Sequence, residues 1–482
     1  MGLKKNILYS GVLTASLYVF QLITYPYVSR VLGVENIGLC NYILSIVQYG
    51  VLFSSLGISV LGVREIAKSK DDLCQLTRTF SGLFTLHILF TLIVLVIYLI
   101  IINTVPQLEN YKKLLYIGAI QIASTPFVAE WFFKGLEDFK YITIRSTVIR
   151  VLYVISIFLF VKEANDYIIY FSITIGMMTA NAIVNWTYLT KKTKIALVSP
   201  SSIYSYFRPL IYLGAQNMLA ASYTTFNVAF LGFISNPTEV GFYTTATKIE
   251  GIIIALYSSF TMVMMPRISV LLEQKNNKNV EQLIKKSFDL MFALIIPCVI
   301  IIEFFAEEIV YIIAGRGYEG AVSPLRIVAF LLLIVGISQI LVVQLLMPIR
   351  ADKEIFICYV VGAIVGLFSN ILLVPIFLSC GSSFVWLISE FFVAILAYHY
   401  ACRKFIQIHI LKQIISYVIH FLPLALVLFI IKYFTIANSI YLFSIASMVV
   451  FIYAHTVLYY IVRNETYISC VRQIANKVNY KY

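Results

Sequence analysis

The sequence predicts an all-α integral membrane protein of about 14 transmembrane helices. They form two pseudo-symmetric six-helix lobes, related as a parallel repeat, followed by two C-terminal helices. Three observations carry this prediction. Of 482 residues, 61% are hydrophobic and only 12% charged, with a mean hydropathy of +0.91; a soluble domain carries about twice that charge. Apolar runs of roughly 20 residues recur along the chain, and alternating strands of about 10 residues are absent, which excludes a barrel. Finally, one layout occurs twice: Val240-Gly241-Phe242 answers Ile37-Gly38-Leu39 at an offset of 203 residues, and Arg267 answers Arg64. Both copies are the second hydrophobic segment of their half, so the repeat reads as two related bundles facing each other across a polar cavity.

In order, the first six spans fall near 7–31, 37–63, 80–103, 113–134, 142–161 and 167–190. The next six fall near 208–234, 240–266, 287–313, 324–349, 355–378 and 383–402, and the last two near 414–433 and 437–462. The start, MGLKKN, has a short basic flank with no small-residue cleavage site after it, so it reads as an uncleaved first span; Asn6 breaks the Gly2 acylation pattern. Residues 1–190 form the N-lobe with helices 1–6, and 191–207 a basic cytoplasmic linker. Residues 208–402 form the C-lobe with helices 7–12, and 403–482 helices 13–14 and a cytoplasmic tail. The connections are short, which leaves no room for an extramembrane catalytic domain.

The net charge of +13 does not point to nucleic acid. About 27 of the 36 Lys and Arg residues lie on one set of loops and tails and about six on the other, as the positive-inside rule requires. The basic connections are 64–79, 134–141, 191–207, 267–286, 350–354 and 403–413. Both termini then lie in the cytoplasm and the chain is a multi-pass protein of the cytoplasmic (inner) membrane. The seven cysteines, Cys40, Cys74, Cys298, Cys358, Cys380, Cys402 and Cys470, are scattered without a CxxC and read as packing residues. The histidines lack ligand spacing, and no phosphate-binding glycine loop or nucleophile elbow occurs, so neither a metal nor a cofactor is expected.

Polar residues within the spans are the candidate site. On a helix at 100° per residue, Asn41, Ser45, Gln48, Leu52, Ser55 and Ser59 share one narrow face of span two. In the second copy Thr244, Lys248, Gly251, Ala255 and Ser258 take the first five of those places. Such a stripe turns towards protein or water, not lipid, and Ser45 and Thr244 are expected to line one aqueous cavity. Span one carries Thr14, Tyr18, Gln21 and Tyr25 at helical spacing; tyrosine faces stack on sugar rings, and the competing reading is interhelical packing with Tyr25 in the interfacial belt. Pro26 kinks the helix, and Arg30 at its outer end is either a cavity residue or an anchor. A central lysine costs roughly 3 kcal/mol on insertion scales, so Lys248 faces a partner or water. Glu250 is not that partner within one helix, because positions two apart point in nearly opposite directions. Glu390, in WLISEFFVAIL, suits a carboxylate that binds and releases a coupling proton, or else forms a buried pair with a basic residue. Arg150 and Arg326 lie within about two turns of span ends, within snorkelling reach of the interface. Glu303, Glu307 and Glu308 lie near the outer surface, and Glu130 with Lys134 is a local i,i+4 pair.

Several stretches carry a resemblance. PYVSRVLGVENIGLCNY (26–42), the Gly57–Lys68 segment, WFFKGLEDFKYIT (131–143) and NILLVP (370–375) resemble bacterial polysaccharide flippases. These are the Wzx-type O-antigen and capsule exporters, in the superfamily that also holds multidrug and toxic-compound exporters and lipid II flippases. After Pro375 such relatives continue with a Gly-Ala-rich turn; here the turn is FLSCGSS (377–383). The resemblance implies two six-helix lobes around a V-shaped cavity plus two extra helices. It implies that an oligosaccharide repeat unit on undecaprenyl pyrophosphate moves to the outer leaflet by alternating access, driven by antiport of H+ or Na+. It implies membrane lipids, a polysaccharide polymerase and a chain-length regulator as partners. A cavity cation is expected, and Lys248 fits; a lysine and arginines replace part of the hydration of the pyrophosphate. The alternatives are a multidrug exporter of the same superfamily, disfavoured by the lack of a carboxylate in spans one and two, and an intramembrane glycan polymerase or ligase, disfavoured by the short outer loops.

Overall fold

The computed structural model describes residues 3–196, 198–221, 225–404, 410–434, 439–462, 464 and 467–468. Among them every regular element is helical. Among the described residues nine segments are long and apolar enough to cross a membrane, so this is a multi-pass membrane protein. The chain divides into two compact units, Met1–Gly241 and Phe242–Tyr482.

The first unit begins with α1 (Leu3–Ser55), which holds the first two expected spans. They meet at a single residue, Gly33, at φ 75° and ψ 169°, rather than at a five-residue connection. An L side chain rarely takes that conformation, so glycine makes the pivot there. The second expected span also ends early. Leu56 (φ 33°) and Gly57 (φ 83°) break the helix before α2 (Ile58–Ser69). Here a Cβ on Gly57 would sit 2.8 Å from the Leu210 carbonyl oxygen, so backbone packing also demands glycine.

Helix α3 (Leu73–Thr104) starts seven residues before the expected span. Asp72 caps it, accepting from the amides of Cys74 at 2.8 Å and Gln75 at 3.3 Å. Span four is broken: α4 (Lys112–Val128) ends near Pro126, Ala129 takes φ 36°, and α5 (Glu130–Gly135) follows. Pro126 leaves the Ile122 carbonyl without its ladder donor, and the left-handed Ala129 three residues on ends the helix. Helices α6 (Phe139–Phe160) and α7 (Tyr167–Leu189) match their expected spans within a few residues. Helices α8 (Pro200–Ala221) and α9 (Thr225–Ile234) occupy span seven, and α10 (Pro237–Glu273) contains span eight and continues past it.

The aromatic run at the start of WFFKGLEDFKYIT is the hub of this unit. Trp131, Phe132 and Phe133 are buried. Trp131 stacks on Phe80 with ring centroids 5.6 Å apart, and Phe133 on Tyr188 at 5.6 Å. Phe84 stacks on Trp186 at 4.9 Å. Each such pair adds about 0.5–1.5 kcal/mol beyond its buried area, so this short helix ties α3 to α7. The first glycine of the repeat is a contact as well: a Cβ on Gly38 would meet the Pro237 carbonyl and lie 2.6 Å from the Gly241 amide nitrogen. The two glycines that identify the repeat thus face each other where α1 crosses the first turn of α10.

In the second unit α11 (Asn277–Ile313) begins ten residues before the apolar run, capped by Asn276 on the Asn279 amide at 3.2 Å. The expected span ten is three pieces: α12 (Val322–Ala329), α13 (Leu331–Gln339) and a π-helical segment, Ile340–Leu346. Helix α14 (Asp352–Lys404) contains spans eleven and twelve, parted at Leu378 (φ 50°, ψ −122°). A Cβ on Gly381 would lie 2.9 Å from the Val374 Cα, so the chain folds back on itself within FLSCGSS. The turn is made by a leucine in strained backbone, and the glycine provides the close approach after it. Helix α15 (Ile410–Phe434) and helix α16 (Ser439–Thr456), which ends in a second π segment, Val457–Ile461, occupy the last two spans. Cys470 and most of the expected cytoplasmic tail lie outside the described residues.

Candidate functional site

In the first unit the stripe of α1 is partly inward. Asn41, Gln48 and Ser55 are half-buried, whereas Ser45 is only 6% exposed and its hydroxyl donates to the Tyr42 carbonyl at 2.6 Å. Ser55 donates to Leu52 O at 3.3 Å, and Ser59 is exposed. Tyr18 and Gln21 are half-buried. Tyr25 is buried, next to a cluster in which Tyr153 hydrogen-bonds Tyr170 and Thr174. Arg30 is exposed and donates to the Pro26 carbonyl at 2.8 Å. Arg150 reaches across from α6 to α1, donating to Leu13 O at 2.9 Å and to the Ser16 hydroxyl.

A polar network that the sequence did not disclose sits at the α4–α5 break. The Arg145 side chain is 4% exposed. It donates to Glu130 at 3.2 Å, to Ser146 Oγ at 2.8 Å and to Asn185 Oδ1. Asn185 in turn donates to the Val128 carbonyl, one of those the break releases. Lys134 bonds Glu130 at 2.9 Å, so the local pair is there, as one edge of a larger network. Tyr141 donates to Asn185 at 3.1 Å and stacks on Tyr188 with centroids 4.0 Å apart. This cluster joins α4, α5, α6 and α7 and is structural.

In the second unit the stripe lies on α10. Thr244 is 5% exposed, and Lys248 and Ser258 are half-buried. Apart from the neighbouring backbone of its own helix, no heavy atom of the described residues stands within 4 Å of where a Cβ on Gly251 would be, so this face borders open space one turn from Lys248. The opposite face enters a buried polar core. Glu250 is 1% exposed, and its Oε1 has no hydrogen-bond partner among the described residues. Its carboxylate interacts electrostatically with that of Glu390. Glu390 accepts from Ser338 Oγ at 3.4 Å, Gln339 Nε2 donates to Ser258 Oγ at 3.0 Å, and Gln344 Nε2 to Thr261 Oγ1 at 3.3 Å. Helix α13 thus reaches Glu390 of α14 through Ser338 and the stripe side of α10 through Gln339, while Gln344 of the π segment meets α10 at Thr261. Such π segments are frequent at functional sites.

The sequence singled out Glu390 and discounted Glu250, having weighed it only as a partner for Lys248. The signal was present: Glu250 precedes the run GIIIAL, the same apolar setting that marked Glu390. Arg326 lies apart, 3.5 Å from Glu307. Lys432 of α15 bonds Glu308 at 3.5 Å and the Phe304 carbonyl at 2.6 Å in the same region.

The family model described as polysaccharide biosynthesis protein matches residues 3–272. A protein of Escherichia coli (strain K12) named "Putative O-antigen transporter" is 26% identical over 396 residues, covering 81% of this chain and 94% of its own. A protein of the same name from Shigella dysenteriae is 25% identical over 377 residues, covering 76% and 91%. Among solved structures, the lipid II flippase MurJ in an inward closed conformation superposes with a TM-score of 0.76 at 15% identity, over 95% of this chain and all of that one. An inward-facing multidrug resistance MATE family transporter gives 0.65 at 15% identity over 82% and 98%. These likenesses establish the expected fold class. With the family match over more than half of its length, the chain belongs to the polysaccharide biosynthesis protein family.

Proposed function

We propose that the chain is a transporter, a flippase that carries undecaprenyl-pyrophosphate-linked oligosaccharide repeat units from the cytoplasmic to the periplasmic leaflet of the inner membrane. It works by alternating access, driven by antiport of a proton or a sodium ion. The observation that carries this reading is the double loading of α10. Lys248 and Glu250 are two residues apart, about 200° around the helix. Lys248 lies on the face where Gly251 meets open space, and Glu250 enters the buried core with Glu390. One rigid element thus links a cation suited to a pyrophosphate with a carboxylate pair suited to a coupling ion. Intramembrane charges are costly and mark ion and substrate pathways.

In this mechanism Lys248 replaces part of the hydration of the pyrophosphate. Asn41, Gln48, Ser55, Ser258, Tyr18 and Gln21 supply hydrogen bonds and ring faces to the glycan, with Ser45, Thr244, Tyr25, Arg30, Arg150 and Arg326 as the remaining candidates. Binding of the ion to Glu250 and Glu390 removes the repulsion between a buried and a half-buried carboxylate and shifts the packing of α10. Both termini face the cytoplasm, and a polymerase and a chain-length regulator use the product. Names of relatives and the family match support the polysaccharide substrate.

The test is genetic. Deletion of the gene should leave undecaprenyl-linked repeat units on the cytoplasmic leaflet. Wild type and, in part, Lys248→Arg should clear them, and Lys248→Ala should not, at equal protein level. Absence of accumulation with surface polysaccharide intact would sink the reading and favour a drug exporter.

A further inference from the structure

A cavity lies at the basic end of α11 and α15, lined by no residue of α10. It has a volume of about 610 Å³. Its floor is apolar, made by Ile284, Phe288 and Leu345, all buried. Its rim carries three exposed lysines from two helices: Lys278 and Lys285 of α11 and Lys412 of α15. Lys278, Lys285 and Asp289 stand seven and four residues apart, so they share one face of α11.

Two carboxylates also line the cavity. Asp289 feels the charge of Lys285 one turn away and accepts from Gln413 Nε2 at 3.3 Å and from Tyr417, whose oxygen also accepts from Asn464 at 2.9 Å. Glu281 lies one turn from both Lys278 and Lys285. Among the described residues none of the three lysines is in an ion pair. On another face of α15, Leu411, Ile415, Ile419 and Leu422 form an exposed apolar ribbon, at spacings of four, four and three. In a membrane protein that ribbon contacts acyl chains.

We propose that this cavity binds the phosphate headgroup of a membrane lipid. The lysines take the phosphate, the apolar floor takes the glycerol-proximal carbons, and the chains lie along α15. Three features favour a lipid over a free anion. The cavity is far larger than a phosphate, its floor is apolar, and the helix that carries Lys412 also presents a lipid-facing ribbon. Basic pockets between transmembrane helices bind anionic headgroups in this way, with ammonium–phosphate bonds about twice as strong as neutral ones. The proposal needs only the membrane fold and holds whatever α10 transports.

The test uses the purified full chain in detergent and dioctanoyl phosphatidate as probe, with binding read by native mass spectrometry and by titration. Lys285→Gln/Lys412→Gln should weaken binding at least tenfold. Lys285→Arg/Lys412→Arg should stay within threefold of wild type, with an unchanged melting profile. Dioctanoylglycerol, which lacks the phosphate, should bind wild type at least tenfold more weakly. Equal binding by the glutamine variant, or equal binding of dioctanoylglycerol, would overturn the proposal. Displacement of the probe by an equimolar amount of inorganic phosphate would overturn it too, in favour of a free-anion site.

Discussion

Glu130→Gln isolates the polar network at the α4–α5 break. The change keeps the shape of the side chain and removes its charge, so the Arg145 guanidinium, 4% exposed, loses its carboxylate and is left with neutral acceptors, Asn185, Ser146 and the new amide oxygen. Breaking a fully buried pair costs about 3–5 kcal/mol; Glu130 is 30% exposed, so the low end, about 3 kcal/mol, is expected. That is roughly a hundredfold in the folding equilibrium. Lys134→Gln removes the other partner of Glu130. Lys134 is 44% exposed in an i,i+4 pair, and the loss should be about 0.3–0.5 kcal/mol. The assay is reversible denaturant unfolding in detergent, followed by tryptophan fluorescence, because Trp131 and Trp186 belong to the aromatic hub next to the network. Glu130→Gln/Arg145→Met should be less damaging than Glu130→Gln alone, since the orphaned charge is then gone. Equal losses for Glu130→Gln and Lys134→Gln would refute the reasoning, and so would a double variant worse than the single.

Other outcomes follow from the same geometry. Gly38→Ala places a Cβ 2.6 Å from the Gly241 amide nitrogen and should cost about 1–3 kcal/mol by overpacking. Gly176→Ala, with nothing within 4 Å, should be neutral in the same melt. Glu390→Gln and Glu250→Gln should fold normally yet make transport indifferent to an imposed proton or sodium gradient; a retained gradient response in both would remove the pair from coupling. A cysteine at Gly251 should react with a small hydrophilic thiol reagent, because that face meets open space; protection in every condition would make the face dry.

Much of the fold was legible because lipid imposes a length and an apolar composition on each span. The short connections near Gly33 and Leu378 could be placed from the ends of apolar runs alone. What hydropathy does not carry is backbone continuity inside a run. The breaks at Ala129 and Phe330 and the π segment at 340–346 fall inside stretches whose mean hydropathy stays high across the break. Hydropathy also stops where the membrane stops, so the ten residues of α11 before the apolar run went unread. The motif WFFKGLEDFKYIT was noticed as a likeness; its physical content is an aromatic clamp and an ion network. Of the candidate site, Lys248 and Glu390 stood out as charges in apolar runs. Glu250 does not stand out when its helix is read alone, because Glu390 lies 140 residues away in the chain. Arg145 was missed for the same reason: its partners sit 15 and 40 residues distant, and periodicity reports faces, not contacts.

The most direct test of the central claim is leaflet transfer in proteoliposomes that hold only the purified chain and a polyprenyl-pyrophosphate-linked oligosaccharide. Glycan exposure is read by a membrane-impermeant glycosidase while a proton or sodium gradient is imposed. The account predicts gradient-dependent transfer with wild type, none with Lys248→Ala, and gradient-independent behaviour with Glu390→Gln. No transfer by folded wild-type protein under any gradient, or full transfer by Lys248→Ala, would contradict it.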